Sequence, residues 1–255
     1  MSIEPALKFV SDLPHPNDRG NLLLHFRERG FAVLKNVFQR DSVAAYLEQV
    51  KGQVVAGPTP SVPLMLKMDS SVAVWPAKAP RLRHVLRGAF SSWISEPQVA
   101  LLNPGWLIRP ANPDPKIVHD WHKDADHLGV GNIGSYQYPS VVHALMYFTD
   151  MTPAHGPTHV IPRSHRDPTL SPFGGAQEEP LLCEKSDVVL WDQRTWHRGA
   201  ARTVEGLRIM ALFSFYPLPI NDTPRPMPEA QRAAWLSSTD ATDKITFGGP
   251  FEPSC

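Results

Sequence analysis

The chain has 255 residues, and its 25 Lys and Arg residues balance its 25 Asp and Glu residues, so the formal net charge is zero. A chain without a charge excess does not attract nucleic acid or an anionic membrane, so neither partner is expected. No stretch approaches the roughly 20 apolar residues of a membrane span, and no basic region followed by an apolar run opens the chain. We expect a cytoplasmic protein, a monomer or homodimer, with residues 1–255 forming a single domain.

The N-terminal part, residues 1–98, is predicted to be rich in helices. Residues 20–29 have a helix-compatible apolar pattern, residues 30–38 alternate as a strand does, and a helix is predicted from Asp41 or Ser42 to about Lys51. Arg81, Arg83, His84 and Arg87 form a basic face with helical spacing, for which we expect solvent exposure.

The middle of the chain, residues 99–217, is predicted to be a β core. The 27 prolines disfavour long helices and favour short strands joined by loops. The six strand-like segments are 99–108, 117–122, 140–148, 158–161, 187–191 and 207–216. These six segments predict a closed or double-sheet β core. Residues 218–255 are predicted to be a proline-rich strap that contains one short helix over 228–236.

A cluster of metal-binding residue types precedes the third of these strands. In a strand, alternate residues share a face, so Asp120, His122, Asp124 and Asp126 would all point one way. Two imidazoles and one carboxylate can hold Fe(II) on one triangular face and leave the other positions open. His197, in the stretch 196–199, is a candidate second imidazole. Spacing alone does not decide between the pairs Asp120 with His122 and His122 with Asp124.

Several motifs in the same order resemble the phytanoyl-CoA dioxygenase family of Fe(II)- and 2-oxoglutarate-dependent oxygenases. The motifs are Trp121–Asp124, Ala144–Asp150, His155–His165, Asp187–Asp192, Trp196–Gly199 and Arg208. The resemblance extends from about Gly30 to Pro217. It implies a mainly β fold with flanking helices around a double-stranded β-helix, a jelly-roll, cupin-like core.

The resemblance also assigns roles to individual residues. It implies that His122, Asp124 and His197 are the catalytic metal ligands, and that Arg208 pairs with the far carboxylate of 2-oxoglutarate, because a guanidinium gives a carboxylate two parallel hydrogen bonds. Thr158 stands at a cosubstrate-contacting position. His119 stands where several relatives carry a glutamine near the cosubstrate, although strand parity turns it away.

The implied cofactors are Fe(II), 2-oxoglutarate and O2, and the implied reaction is oxidation, most simply hydroxylation, of a C–H bond in a small molecule. Succinate and carbon dioxide would be released, and natural-product metabolism is one setting. Two alternatives stay open: a non-redox jelly-roll hydrolase or isomerase, and a non-catalytic binding protein on the same fold. The segments 52–80, 129–139 and 168–180 are candidate lids over the substrate.

The chain departs from the family pattern in places. Arg163 replaces a glycine in the stretch Pro162–His165, so we expect a differently shaped turn. The additional imidazoles of His143, His155, His159 and His165 are expected to be structural or solvated, because the three-ligand site is already complete.

Overall fold

The computed structural model describes residues 7–10, 20–54, 64–67, 79–91, 98–109, 121–124 and 141–218. Its elements in chain order are α1 Asn21–Arg29, β1 Phe31–Leu34, α2 Arg40–Val54, β2 Leu64–Lys67, α3 Pro80–Phe90, β3 Gln98–Arg109, β4 Val142–Tyr147, β5 Thr158–Val160, β6 Glu179–Pro180, β7 Val188–Asp192, β8 His197–Gly199 and β9 Arg208–Leu218. Short 3₁₀ turns lie at Pro153–His155 and Pro172–Gly174. None of the helices in these ranges is long and apolar enough to cross a membrane.

The strands form two antiparallel sheets. The larger sheet has the order β1-β7-β4-β9-β3-β2, and the smaller sheet has the order β6-β5-β8. Within each sheet, all paired strands are antiparallel. Apart from β2 and β3, neighbouring strands of the large sheet are not consecutive in the chain, so the fold brings distant segments together.

Alternation along β4 and β9 divides the core into two clusters. Val142, Ala144 and Met146 pack in the cluster that also contains the apolar residues of α1 and α3. Leu145 and Tyr147 belong to the second cluster, which contains Val160 and Leu181 of the small-sheet region. Successive side chains of a strand point to opposite faces. His143 on β4, and Arg208 and Ser214 on β9, therefore point toward the small sheet.

The turn after α1 ties the first strand to the loop before β8. Gly30 has φ of 86°, and a Cβ placed there would lie 2.5 Å from both His165 Nδ1 and Thr195 Oγ1. Its carbonyl oxygen accepts hydrogen bonds from Thr195 Oγ1 at 3.0 Å and Asp192 N at 2.8 Å. Only glycine combines this left-handed conformation with such close neighbours.

Most predicted elements are present within one to three residues of their predicted ends. Two differences are informative. Leu64–Lys67, inside a segment predicted to be a lid, is a strand paired with β3 at the edge of the large sheet. Arg81, predicted to be solvent-exposed, is only 8% exposed, because its Nη1 donates to the carbonyl oxygens of Lys35 and Asn36. The predicted tail helix 228–236 and residues 219–255 of the predicted strap lie outside the described residues, and Leu218 is the last residue of β9.

Candidate metal centre

The three residues assigned as metal ligands lie together. His122, Asp124 and His197 each offer a donor atom, and these atoms all lie within 4.8 Å of one another. His122 and His197 are held by an isolated antiparallel bridge with N···O distances of 3.1 and 3.0 Å. Asp124 N donates to Gln193 O at 3.0 Å, and this hydrogen bond fixes the backbone at Asp124 against the loop before β8. Backbone pairing therefore sets the positions of all three side chains.

The carboxylate of Asp124 lies between imidazoles. Its Oδ1 is 3.8 Å from His122 Nε2, and its Oδ2 is 3.3 Å from His197 Nε2. The His122 and His197 rings are 4.2 Å apart between centroids. His197 is buried, whereas His122 and Asp124 are partly exposed, so the group is reached from one side. Described residues 121–124 contain one bridge and no continuous strand, so alternation did not by itself create this arrangement.

The second ring nitrogen of His197 is already used. His197 Nδ1 lies 3.0 Å from the carbonyl oxygen of Thr195, and a carbonyl only accepts, so Nδ1 carries the hydrogen. In the neutral ring this leaves Nε2 as a lone-pair donor directed at the site. Such a bond to the far nitrogen is the usual way in which a metal-ligating histidine is oriented.

Burial and charge act on the same groups in opposite directions. Burial raises the pKa of Asp124, but the neighbouring imidazoles of His197, His143 and His122 outweigh it and hold that pKa below its usual value. Burial lowers the pKa of His197, and the Asp124 carboxylate only partly opposes this. An ionised carboxylate beside a neutral imidazole is the protonation state that binds a cation.

A buried arginine, Arg208, lies at the start of β9, on the face of the large sheet that points toward the small sheet. Arg208 is 2% exposed, and its Nε and Nη1 have no hydrogen-bond partner among the described residues. Burial lowers the pKa of Arg208, but a guanidinium remains protonated at neutral pH. Buried charges are normally paired, so an anionic partner is expected for Arg208.

A buried pair of hydroxyl groups lies near Arg208. Tyr147 Oη and Thr158 Oγ1 are 2.8 Å apart, and both side chains are buried. Burial raises the pKa of Tyr147, and the nearby charge of Arg208 opposes the increase. Thr158 was predicted from the sequence as a cosubstrate contact, whereas Tyr147 was not. Its position in an apolar strand gave no signal beyond core packing.

The other predicted positions have different outcomes. His119, Asp120 and Asp126 lie outside the described residues. His143, expected to be structural or solvated, is buried and has Nε2 at 3.3 Å from Asp124 Oδ2. The turn at Arg163 keeps a left-handed conformation, with φ of 70°, although the glycine is absent.

The tryptophans that precede the two histidine ligands contact surface side chains. Trp196 has Phe173 at its edge and Lys123 over its ring, and the Arg198 guanidinium lies 5.0 Å from the Trp121 ring centroid.

Comparison with known proteins places the chain among similar folds. The family model of phytanoyl-CoA dioxygenase (PhyH) matches residues 26–210. No protein in the curated set matches the sequence.

Three solved structures illustrate the similarity of fold. The 2-oxoglutarate (α-ketoglutarate)-dependent epimerase SnoN from nogalamycin biosynthesis has a TM-score of 0.60 at 16% identity, covering 79% of this chain and 83% of that chain. HygX from Streptomyces hygroscopicus, with nickel and 2-oxoglutarate bound, has a TM-score of 0.59 at 18% identity, covering 80% and 88%. EvdO2 from Micromonospora carbonacea var. aurantiaca, complexed with 2-oxoglutarate, has a TM-score of 0.57 at 18% identity, covering 81% and 94%. These likenesses confirm the predicted mainly β, jelly-roll fold.

Proposed function

The chain belongs to the phytanoyl-CoA dioxygenase family, and we propose that it is an Fe(II)- and 2-oxoglutarate-dependent oxygenase that hydroxylates a C–H bond of a small molecule. One observation supports this most strongly. The two imidazoles and one carboxylate lie within 4.8 Å of one another, and Arg208 is buried with two nitrogens that have no hydrogen-bond partner in the part of the chain that the structure describes.

The residues present fit a ferrous ion. His122, Asp124 and His197 would hold it, and His197 already has the orientation of a ligand because Nδ1 donates to Thr195 O. Two histidines and one carboxylate are the donor set of non-haem iron oxygenases, and this set leaves coordination positions open for cosubstrate and oxygen.

The residues also fit 2-oxoglutarate. Arg208 would pair with the carboxylate far from the keto group, because its guanidinium is buried and described residues offer no hydrogen-bond partner to Nε and Nη1. Thr158 Oγ1 and Tyr147 Oη are 2.8 Å apart, so one hydroxyl donates to the other, and the accepting hydroxyl would donate its own hydrogen to the same carboxylate. HygX and EvdO2, whose folds are similar to that of this chain, were solved with 2-oxoglutarate bound, and this supports a 2-oxoglutarate site in this chain.

The division of labour follows from this arrangement. The bound iron and 2-oxoglutarate would supply the oxidising chemistry that removes hydrogen from the substrate, with succinate and carbon dioxide as coproducts. The chain holds the metal through three side chains, anchors the cosubstrate through Arg208 and encloses that anchor in a buried face. His122 and Asp124, which are partly exposed, mark the side from which substrate would approach.

The outcome and the substrate class rest on further considerations. Asp124 supplies a carboxylate, so no ligand position is left vacant for a halide, and this favours hydroxylation over halogenation. One similar structure, SnoN, is an epimerase, and another, HygX, was solved with hygromycin B. We therefore propose a specialised metabolite as the substrate.

Incubation with a panel of such metabolites, Fe(II), 2-oxoglutarate and O2 tests the proposal. Mass spectrometry should find one substrate that gains one oxygen atom, in step with succinate release, and Asp124→Ala should abolish both. A product of unchanged mass would indicate epimerisation. Product formation without oxygen or 2-oxoglutarate would overturn the proposal in favour of a non-redox metalloenzyme.

A further inference from the structure

Three side chains form a row across the middle of the large sheet, on the face toward the metal centre. His143 on β4 pairs in register with Trp191 on β7 and with Ser214 on β9. The rings of His143 and Trp191 have centroids 5.2 Å apart, and the Trp191 ring also lies 5.3 Å from that of His197. The row therefore lies directly behind the ligands Asp124 and His197.

Both nitrogens of His143 face polar groups. Nδ1 lies 2.8 Å from Ser214 Oγ, and Nε2 lies 3.3 Å from Asp124 Oδ2. Nε2 is fully buried and has no hydrogen bond in the described part of the chain, because its alignment with the carboxylate falls outside hydrogen-bond geometry. An unsatisfied buried polar group is destabilising, so a partner is expected in the working state.

Simple donor and acceptor rules identify that partner. An ionised carboxylate only accepts hydrogen bonds, so Nε2 of His143 must carry the hydrogen that faces Asp124. Nδ1 of the neutral ring is then an acceptor, and the Ser214 hydroxyl donates to it. The carboxylate torsion of an aspartate is soft, so a small rotation of Asp124 completes the bond.

His143 is separate from the ligand set itself. The donor atoms within 4.8 Å of one another belong to His122, Asp124 and His197, and His143 is not part of that group. Its contact is with one oxygen of one ligand.

We propose that His143 is a positioning residue for the metal centre: its Nε2–H holds Oδ2 of Asp124, with the ring orientation fixed by Ser214, and leaves Oδ1 for the metal. This inference rests on the proposed function, because it requires a metal at the three ligands. It gives an imidazole outside the ligand set a defined task, since hydrogen bonds to ligating carboxylates fix their orientation.

Anaerobic calorimetric titration of the full chain with Fe(II) alone tests the positioning role without requiring a substrate. His143→Leu should weaken Fe(II) binding by about 10- to 100-fold, the usual effect of losing such a partner. His143→Gln keeps an N–H donor and should recover most of the affinity. Ser214→Ala should cause a smaller loss, and it should add nothing in the His143→Leu background.

Ser186→Ala is the matched control. Ser186 is also buried, but its hydroxyl lies 3.5 Å from Asn36 Oδ1, in a different part of the fold, so this variant should bind Fe(II) like the parent chain.

The outcomes separate the two proposals. Failure of the parent chain to bind Fe(II) contradicts the proposed function. Tight binding by the parent with equal affinity in folded His143→Leu overturns the positioning role alone. If His143→Leu does not fold, His143→Gln and Ser214→Ala are compared, singly and combined. Losses of Fe(II) affinity that add in the combined variant, or no loss in Ser214→Ala, also overturn the positioning role.

Discussion

Replacing Arg208 by methionine should separate cosubstrate binding from stability. The guanidinium is 2% exposed, and its Nε and Nη1 have no hydrogen-bond partner among the described residues, so without cosubstrate these two donors are buried and unsatisfied there. Even a buried ion pair can often be replaced by apolar side chains of similar volume with no loss, or with a gain of about 1–4 kcal/mol, and a buried guanidinium with unsatisfied donors has less to lose. The unfolding temperature of Arg208→Met without 2-oxoglutarate should therefore be unchanged or higher.

The affinity for 2-oxoglutarate should change in the opposite direction. Two hydrogen bonds to a charged group contribute about 1.5–3 kcal/mol each, or about 3–6 kcal/mol together. At about 1.4 kcal/mol for each tenfold change, the dissociation constant should rise by about 10²- to 10⁴-fold. Anaerobic calorimetric titration of the Fe(II)-loaded protein with 2-oxoglutarate measures this change.

Arg202→Met is the matched control for Arg208→Met. Arg202 is 6% exposed, but its guanidinium donates to the carbonyl oxygens of Gly206 and Glu205, which would lose their donors. This variant should lose stability and keep its affinity for 2-oxoglutarate. The reasoning fails if Arg208→Met loses stability in the same way while its affinity stays within a few-fold of the parent value.

Three further predictions concern the fold. Arg163→Gly should stabilise the protein by about 0.5–1 kcal/mol, because φ of 70° costs an L residue about 1–2 kcal/mol and glycine returns part of this in the unfolded chain; an unchanged or lower unfolding temperature would contradict this. Gly30→Ala should cost more than about 2 kcal/mol in denaturant unfolding, because positive φ adds to the contacts with His165 and Thr195; a smaller loss would refute the crowding argument. Burial raises the pKa of Cys183 to about 12, so its thiol stays protonated and iodoacetamide at pH 8 should modify it only after unfolding; site-resolved mass spectrometry that finds modification of the native chain would contradict this.

The sequence predicted the ligand set only with help from the family motifs. Strand alternation left Asp120, His122, Asp124 and Asp126 equivalent, since each pair has the same spacing. The structure brings His122 and Asp124 to His197 through a backbone bridge and a bond to Gln193 O, and these pairings depend on the fold.

The sequence did not predict the roles that we propose for His143 and Tyr147. Both lie in β4, in which every residue is buried, so apolar and polar positions give no clean alternation. Their roles depend on which residues of β7 and β9 lie beside them. Register across a sheet is a property of tertiary structure.

Two other sequence expectations were limited by the same dependence on tertiary contacts. Helical spacing correctly predicted that Arg81 lies on a helix. Its side chain is nevertheless buried, because it donates hydrogen bonds to carbonyl oxygens just after β1. Arg163 keeps the turn that a glycine would favour, because its N donates to Arg29 O at 2.9 Å and the surrounding fold holds the strained conformation.

The most direct test of the account is an anaerobic spectral titration of the full chain with Fe(II) and 2-oxoglutarate. The account predicts a visible metal-to-ligand charge-transfer band that saturates at one iron per chain in the parent protein. The band should be absent in Asp124→Ala and in His197→Ala. A well-folded parent chain that shows no band, or an equally strong band in Asp124→Ala, would contradict the proposed iron centre.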